Sequence, residues 1–148
     1  MRYAKLFFTI CGVLTLTQTG CRRQWDLTKP ACKKAIDEYY SNRPECLREA
    51  PDPRHPELGN LCIGYRSVVS IDSFTPPWNG MPRTSHVAYH YTIGRVPDWA
   101  QSPAILQTYP QLRDALTGPH QATENLVGGS AKDDSYVWEV IPPGQTVE

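Results

Sequence analysis

The sequence predicts an α+β fold: a small antiparallel sheet of about four strands in two hairpins, with helices on one face, in the order α-β-β-α-β-β. Three observations predict it. Cys32, Ala35, Ile36 and Tyr39 recur at i, i+3, i+4 and i+7, the spacing of a helix with one apolar face. Val87, Tyr89, Tyr91 and Ile93 alternate at period two, the spacing of a strand with one face buried. Residues 123–127 and 136–141 are apolar-rich runs on either side of Gly128-Gly129-Ser130-Ala131-Lys132-Asp133-Asp134, which suits a second hairpin.

The elements follow in order. Thr28-Lys29-Pro30 reads as a helix start with proline in the first turn. Lys33 with Asp37 and Lys34 with Glu38 form i,i+4 pairs on the wet face of that helix, and Ser41-Asn42-Arg43-Pro44 ends it. Pro51, Pro53 and Pro56 mark an extended loop. Residues 65–74 are rich in β-branched and aromatic side chains and predict a strand, with Ser67, Val69 and Ile71 on one face and Val68, Ser70 and Asp72 on the other. A Pro-rich connection containing Asn79-Gly80 leads to the strand over 85–93. Ser102-Pro103 predicts a helix start, Thr108 and Gln111 have capping-box spacing, and Pro110 splits the segment into two short helices or a kinked one. Gly118-Pro119 stops it, and Pro142-Pro143 ends the last strand.

The N-terminal end carries an address. Arg2 and Lys5 precede an uncharged run over residues 6–16. That run is shorter than the roughly 20 residues a spanning helix needs and fits the apolar part of an export signal. Thr17-Gln18-Thr19-Gly20-Cys21 follows, and it resembles the lipobox of bacterial lipoproteins. Gln18 stands where that pattern usually carries an apolar residue. The resemblance covers residues 1–21 and implies cleavage before Cys21, acylation of Cys21 with palmitate-class chains, and attachment to a membrane. Arg22, in place of an aspartate, implies the periplasmic face of the outer membrane. Cleavage without acylation would instead release a soluble periplasmic protein. The expected organisation is a signal over 1–20, a tether over 21–29 and a single globular periplasmic domain over 30–148.

Loss of Arg2 and Lys5 turns a balance of 15 basic and 15 acidic residues into a net charge of about −2. No basic block occurs, so no nucleic-acid partner is expected. Five cysteines occur. With Cys11 removed and Cys21 acylated, Cys32, Cys46 and Cys62 remain for a compartment that favours disulfides. Cys32–Cys46 is the expected pair, because the loop after the helix has the length to run back along it. Cys62 is then a buried small apolar residue. Cys46–Cys62 and Cys32–Cys62 stay open as alternatives.

Signals for chemistry are few. His86 and His90 share one face of a strand but lie roughly 13 Å apart along it, too far for one metal ion. No C-x-x-C, G-x-S-x-G or H-E-x-x-H occurs, and no metal or cofactor is expected. Trp78 and Asn79 in the Pro-rich loop, and Trp99 after Val-Pro-Asp, are the candidate contacts for a protein partner. The expectation is a non-enzymatic, membrane-anchored envelope lipoprotein that binds a periplasmic protein, as an inhibitor, an immunity protein or an assembly component. The alternatives are a structural envelope lipoprotein without a discrete ligand, and a cell-wall hydrolase built on His86, His90 or Asp98.

Overall fold

A computed structural model describes residues 26–47, 61–77, 82–132 and 136–146. The lipobox with Cys21, the proline cluster over 51–56, Trp78, Asn79 and Asp133-Asp134 lie outside the described residues. The element order is α1 (Lys29–Tyr40), β1 (Pro44–Leu47), β2 (Leu61–Phe74), β3 (Arg83–Gly94), a 3₁₀ turn (Asp98–Gln101), α2 (Pro103–Thr108), α3 (Pro110–Leu116), β4 (His120–Ser130) and β5 (Tyr136–Val140). All strand pairs are antiparallel, in one five-stranded sheet of order β1-β2-β3-β4-β5.

Helix α1 forms where the pattern predicts. Thr28 is extended, and its side chain accepts from the Ala31 N–H, so one of the free amides of the first turn is satisfied. Pro30 costs no hydrogen bond there. The helix buries Cys32, Ala35 and Ile36 against the sheet. It touches β2 and β5, which are not neighbours in the sheet, so the sheet curls around it. Val68, Ile71, Val87, Tyr89, Leu126, Trp138 and Val140 complete this core. A second apolar cluster joins Leu61 and Ile63 of β2 to Ala100 and Leu112, with Ile93, Trp99 and Ile105 packed beside them.

Three expectations are corrected. First, the sheet has a fifth strand, β1. It is four residues long and opens on Pro44, whose missing N–H is tolerated at the start of an edge strand. Second, β2 does not alternate simply. The register against β3 shifts between Val68 and Ser70 and again between Ile71 and Ser73. Each bulge inserts a residue and turns the following side chains over. Val68 and Ile71 therefore both point inward, and Val69 is left 56% exposed. Third, Thr108 does not cap α3. It closes α2, where its hydroxyl donates to the Ala104 carbonyl, and Tyr109 is the residue that enters α3.

The disulfide is Cys46–Cys62 and not Cys32–Cys46. After α1 the chain turns into β1 instead of running back along the helix, and the register sets Cys46 directly opposite Cys62. Cys32 lies on the inward face of α1, fully buried and free, in the apolar role that Cys62 was expected to fill. Burial pushes its thiol up from an ordinary 9.0 to about 11. A bulge between Glu45 and Cys46, beside the disulfide, requires Gly64, whose φ is +146°; a Cβ there would lie 2.5 Å from the Gly94 carbonyl oxygen.

Candidate functional site: a slot between the helix and one sheet edge

Three polar arrangements on this scaffold invite a functional reading. The most buried is built on Arg66, at the point where β2 passes beyond the end of β1. Its Nε and Nη2 donate to the two carboxylate oxygens of Glu45 at 2.6 and 3.2 Å, a bidentate fork. Nη1 donates to the hydroxyls of Tyr40 and Tyr89 at 3.2 and 3.3 Å and stands 3.8 Å from Glu124. The guanidinium stacks on the rings of Tyr40 and Tyr91. Both Tyr40 and Tyr89 donate their hydroxyls to the same oxygen of Glu124. Burial disfavours the Arg66 charge, but the bonds to Glu45 and Tyr89 outweigh it and hold the guanidinium above its ordinary range. Burial raises the phenols of Tyr40, Tyr89 and Tyr91, with the bond to Glu124 adding to the shift at Tyr40. Every nitrogen of Arg66 is engaged. The cluster is closed on itself, and its work is to pin the end of α1, β1 and β4 onto β2.

The second arrangement lies on the face of the sheet turned away from α1. His86 Nδ1 is 3.0 Å from Asn125 Oδ1, and His90 Nδ1 is 2.9 Å from Asp72 Oδ1. Ser70 also bonds to Asp72, at 3.3 Å. The serine hydroxyl is therefore on the carboxylate and not on the imidazole. Among the described residues no hydroxyl or thiol is bonded to His90, so the pair orients a ring without bringing it a nucleophile. The His90 and Asp72 side chains are 37% and 32% exposed on an open surface, which is not a water-excluding cleft.

The third arrangement comes from the two long margins of the curled sheet, which both face α1. Beyond Tyr65 the outer margin of β2 has no strand beside it among the described residues. Helix side chains take that place. Asp37 Oδ1 accepts from the Val68 N–H at 2.8 Å, Lys33 Nζ donates to the Val68 carbonyl, and Lys29 Nζ donates to the Asp72 carbonyl at 3.2 Å. Lys29, Lys33 and Asp37 fall at i, i+4 and i+8, one stripe of the helix. They do for β2 what a neighbouring strand would do.

Among the described residues no such stripe faces β5. The Ile141 N–H donates to the Asn125 carbonyl directly opposite, at 2.8 Å, so the alternation of antiparallel pairing turns the backbone groups of Tyr136, Trp138 and Val140 outward. Opposite them α1 presents Ala31 and Ala35, whose side chains carry no polar group. Lys34 and Glu38 flank the alanines but approach each other, at 3.7 Å. The result is a slot. Its narrow part has a volume of about 100 Å³ between Ala31, Ala35 and residues Tyr136–Trp138. It widens to about 410 Å³ where Tyr39, Arg43, Val140 and Pro142 form the walls. That wider volume is within the range of ligand-binding clefts. Arg43 stacks over the Tyr39 ring at 3.9 Å, and its Nη1 donates to the Tyr39 carbonyl. Glu139 lies at the rim of the same cleft, its side chain exposed on the other face of β5 opposite Val127, with no ion pair among the described residues.

Of the partner contacts expected from sequence, Trp99 is placed in the 3₁₀ turn, half-buried against the second apolar cluster, where it serves packing. Trp78 and Asn79 lie outside the described residues. Sequence reasoning missed the slot, although Ala35 and Tyr39, which line it, stand in the helical repeat. Among the described residues no group of three or more His, Cys, Asp or Glu side chains is placed to hold a metal ion, and no helix is long and apolar enough to cross a membrane. Comparison with protein-family models, curated proteins and solved structures finds no match.

Proposed function

We propose that this chain is an envelope lipoprotein, anchored through acyl chains on Cys21, whose folded domain binds a periplasmic protein without catalysing a reaction on it. The open slot between α1 and β5 carries the binding half of this reading. A sheet margin with unpaired backbone groups is a template for another chain, and folded proteins ordinarily cover or charge such margins. Among the described residues, α1 side chains cover one margin and none cover the other. The Cys46–Cys62 disulfide supports an oxidising compartment. The resemblance of residues 17–21 to a lipobox supports the anchor, since several acyl chains on one residue bind a membrane durably.

Two measurements on the full chain in a Gram-negative host test the reading. Mass spectrometry of the N-terminus should find acylated Cys21 as the first residue, and Cys21→Ser should move the protein out of the membrane fraction. A product that keeps Met1 and stays in the cytosol removes the anchor and the compartment together. A photo-crosslinking residue at position 139, on the edge strand β5, should yield one discrete adduct in intact cells, and the same residue at Thr123, on the same sheet face but in β4, should yield none. Equal labelling from both positions contradicts the binding half.

A further inference from the structure

We infer that the occupant of the slot is one extended segment of a partner protein, which pairs with β5 as a sixth strand and carries an apolar residue close to a lysine or arginine. The inference rests on the binding-module reading above and names its partner chemistry.

Four features of the slot select this occupant. The backbone groups of Tyr136, Trp138 and Val140 repeat every second residue along the margin, the spacing that an extended chain matches and a helix does not. The walls contributed by Ala31 and Ala35 are low and leave a gap of about 100 Å³ beside β5 that a larger side chain would fill. The wider end is lined by Tyr39, Val140 and Pro142, which suits an apolar side chain of the incoming strand. The charges are unequal. Glu139 has no ion pair among the described residues and Glu38 only the 3.7 Å approach of Lys34, whereas Arg43 is already stacked and hydrogen-bonded to Tyr39. A cation on the guest would sit beside carboxylates that lack a close partner, and an anion would meet them as like charge. The β2 margin is less open, because Asp37 and Lys33 occupy both backbone groups of Val68 and Lys29 the carbonyl of Asp72.

The test uses the full chain in detergent and a positional-scanning library of acetylated hexapeptide amides. Selection should converge on an apolar residue with lysine or arginine near it. Single N-methylation of the selected peptide should then alternate in effect: at least tenfold weaker binding where the peptide N–H faces β5, and little change at the positions between. Ala31→Lys places a long side chain over the narrow part, in imitation of Lys29 and Lys33, and should weaken binding at least tenfold. Glu139→Lys, at an exposed position, should invert the charge preference to acidic peptides. Hydrogen exchange on each variant checks that α1 and β5 are still folded.

N-methyl tolerance at every position, a failure of the library to select any sequence, or selection of acidic peptides by the unaltered protein overturns the inference. So does protection of the Trp138 and Val140 amides that rises with protein concentration in the absence of peptide, because the guest would then be a second copy of this chain. In each of these cases an adduct from position 139 in cells would leave the binding-module reading standing. Absence of that adduct with a convergent library result would instead strike the cellular role and leave the strand chemistry in place.

Discussion

The two margins of the sheet face the same helix and are treated differently by it. Along β2, α1 presents Lys29, Lys33 and Asp37, and their side chains bond to the Val68 and Asp72 backbone. Along β5, on the opposite flank of the helix, it presents Ala31 and Ala35. The contrast teaches that an exposed strand is kept inert by a helix only when the helix supplies polar groups at the right rise. A helix face of small residues leaves the strand open for a guest.

The largest expected effect lies on the closed side. Arg66 holds β2, β1, β4 and the end of α1 together, and its side chain is 19% exposed. Arg66→Ala leaves Glu45 and Glu124 without their cation, at 27% and 13% exposure, and should cost about 3–5 kcal/mol in urea unfolding. A loss below about 1 kcal/mol would show that water reaches the cluster and that α1 is held on β2 by its apolar face alone. Next is the Cys46–Cys62 bridge, which ties β1 to β2 across a sequence separation of 16. Paired replacement by alanine should cost about 3 kcal/mol in the chain-entropy picture. Because β1 belongs to the closed margin, the peptide affinity of the β5 slot should stay within about twofold, a free-energy change of less than about 0.5 kcal/mol.

Cys32 lies between the two margins and gives a pH test that acts on both. Its thiol is raised in the folded state from 9.0 to about 11. Below pH 9 both states carry the proton and the stability is full. As pH rises from 9 through about 11 the unfolded chain loses the proton first, so the folded state loses about 2–3 kcal/mol over that window. Cys32→Ala removes this slope. The raised phenols of Tyr40, Tyr89 and Tyr91 act in the same direction above their ordinary value of 10.0, so a residual alkaline loss in Cys32→Ala belongs to them. Chemical denaturation repeated at steps of pH measures both slopes. A wild-type curve parallel to that of Cys32→Ala from pH 8 to 10 contradicts a buried neutral thiol at the heart of α1.

Much of the scaffold could be read from the chain, and the reasons differ by element. The inward face of α1 and the odd-numbered face of β3 were legible because each is apolar on one side at a single period. β1 was not, because four residues opening on proline carry no period at all. The bulges in β2 were hidden because Val68, Val69 and Ile71 satisfy either alternation equally well, and the choice depends on the register with β3. The disulfide followed from that hidden strand, since Cys46 meets Cys62 only through the β1–β2 register. Lys33 and Asp37 were read correctly as an ion pair, at 2.8 Å, but the pairing is secondary to what they cap. Nothing local distinguishes a lysine bonded to a distant carbonyl from a solvated one. The slot was illegible for the same reason. Small residues on one helix flank gain meaning only when a strand from the far end of the chain is laid beside them.

The smallest expected effect separates the two margins most sharply. Asp37→Ala removes the acceptor of the Val68 N–H, on a residue 4% exposed. It should cost about 1–2 kcal/mol, the penalty of a backbone donor left unsatisfied. The Asp37 side chain is 35% exposed, so water can recover part of that loss and the lower end is expected. The informative readout is association and not stability. With Asp37 gone and Lys33 released from its ion pair, the β2 margin gains the freedom that β5 already has. Sedimentation of Asp37→Ala should therefore show self-association beyond that of the parent, and Asp37→Asn, which keeps an acceptor oxygen at the same reach, should return it to the parent's behaviour. If Asp37→Ala sediments as the parent does, a free margin on this sheet is not by itself adhesive. The selectivity assigned to the β5 slot would then have to come from its walls and its two glutamates.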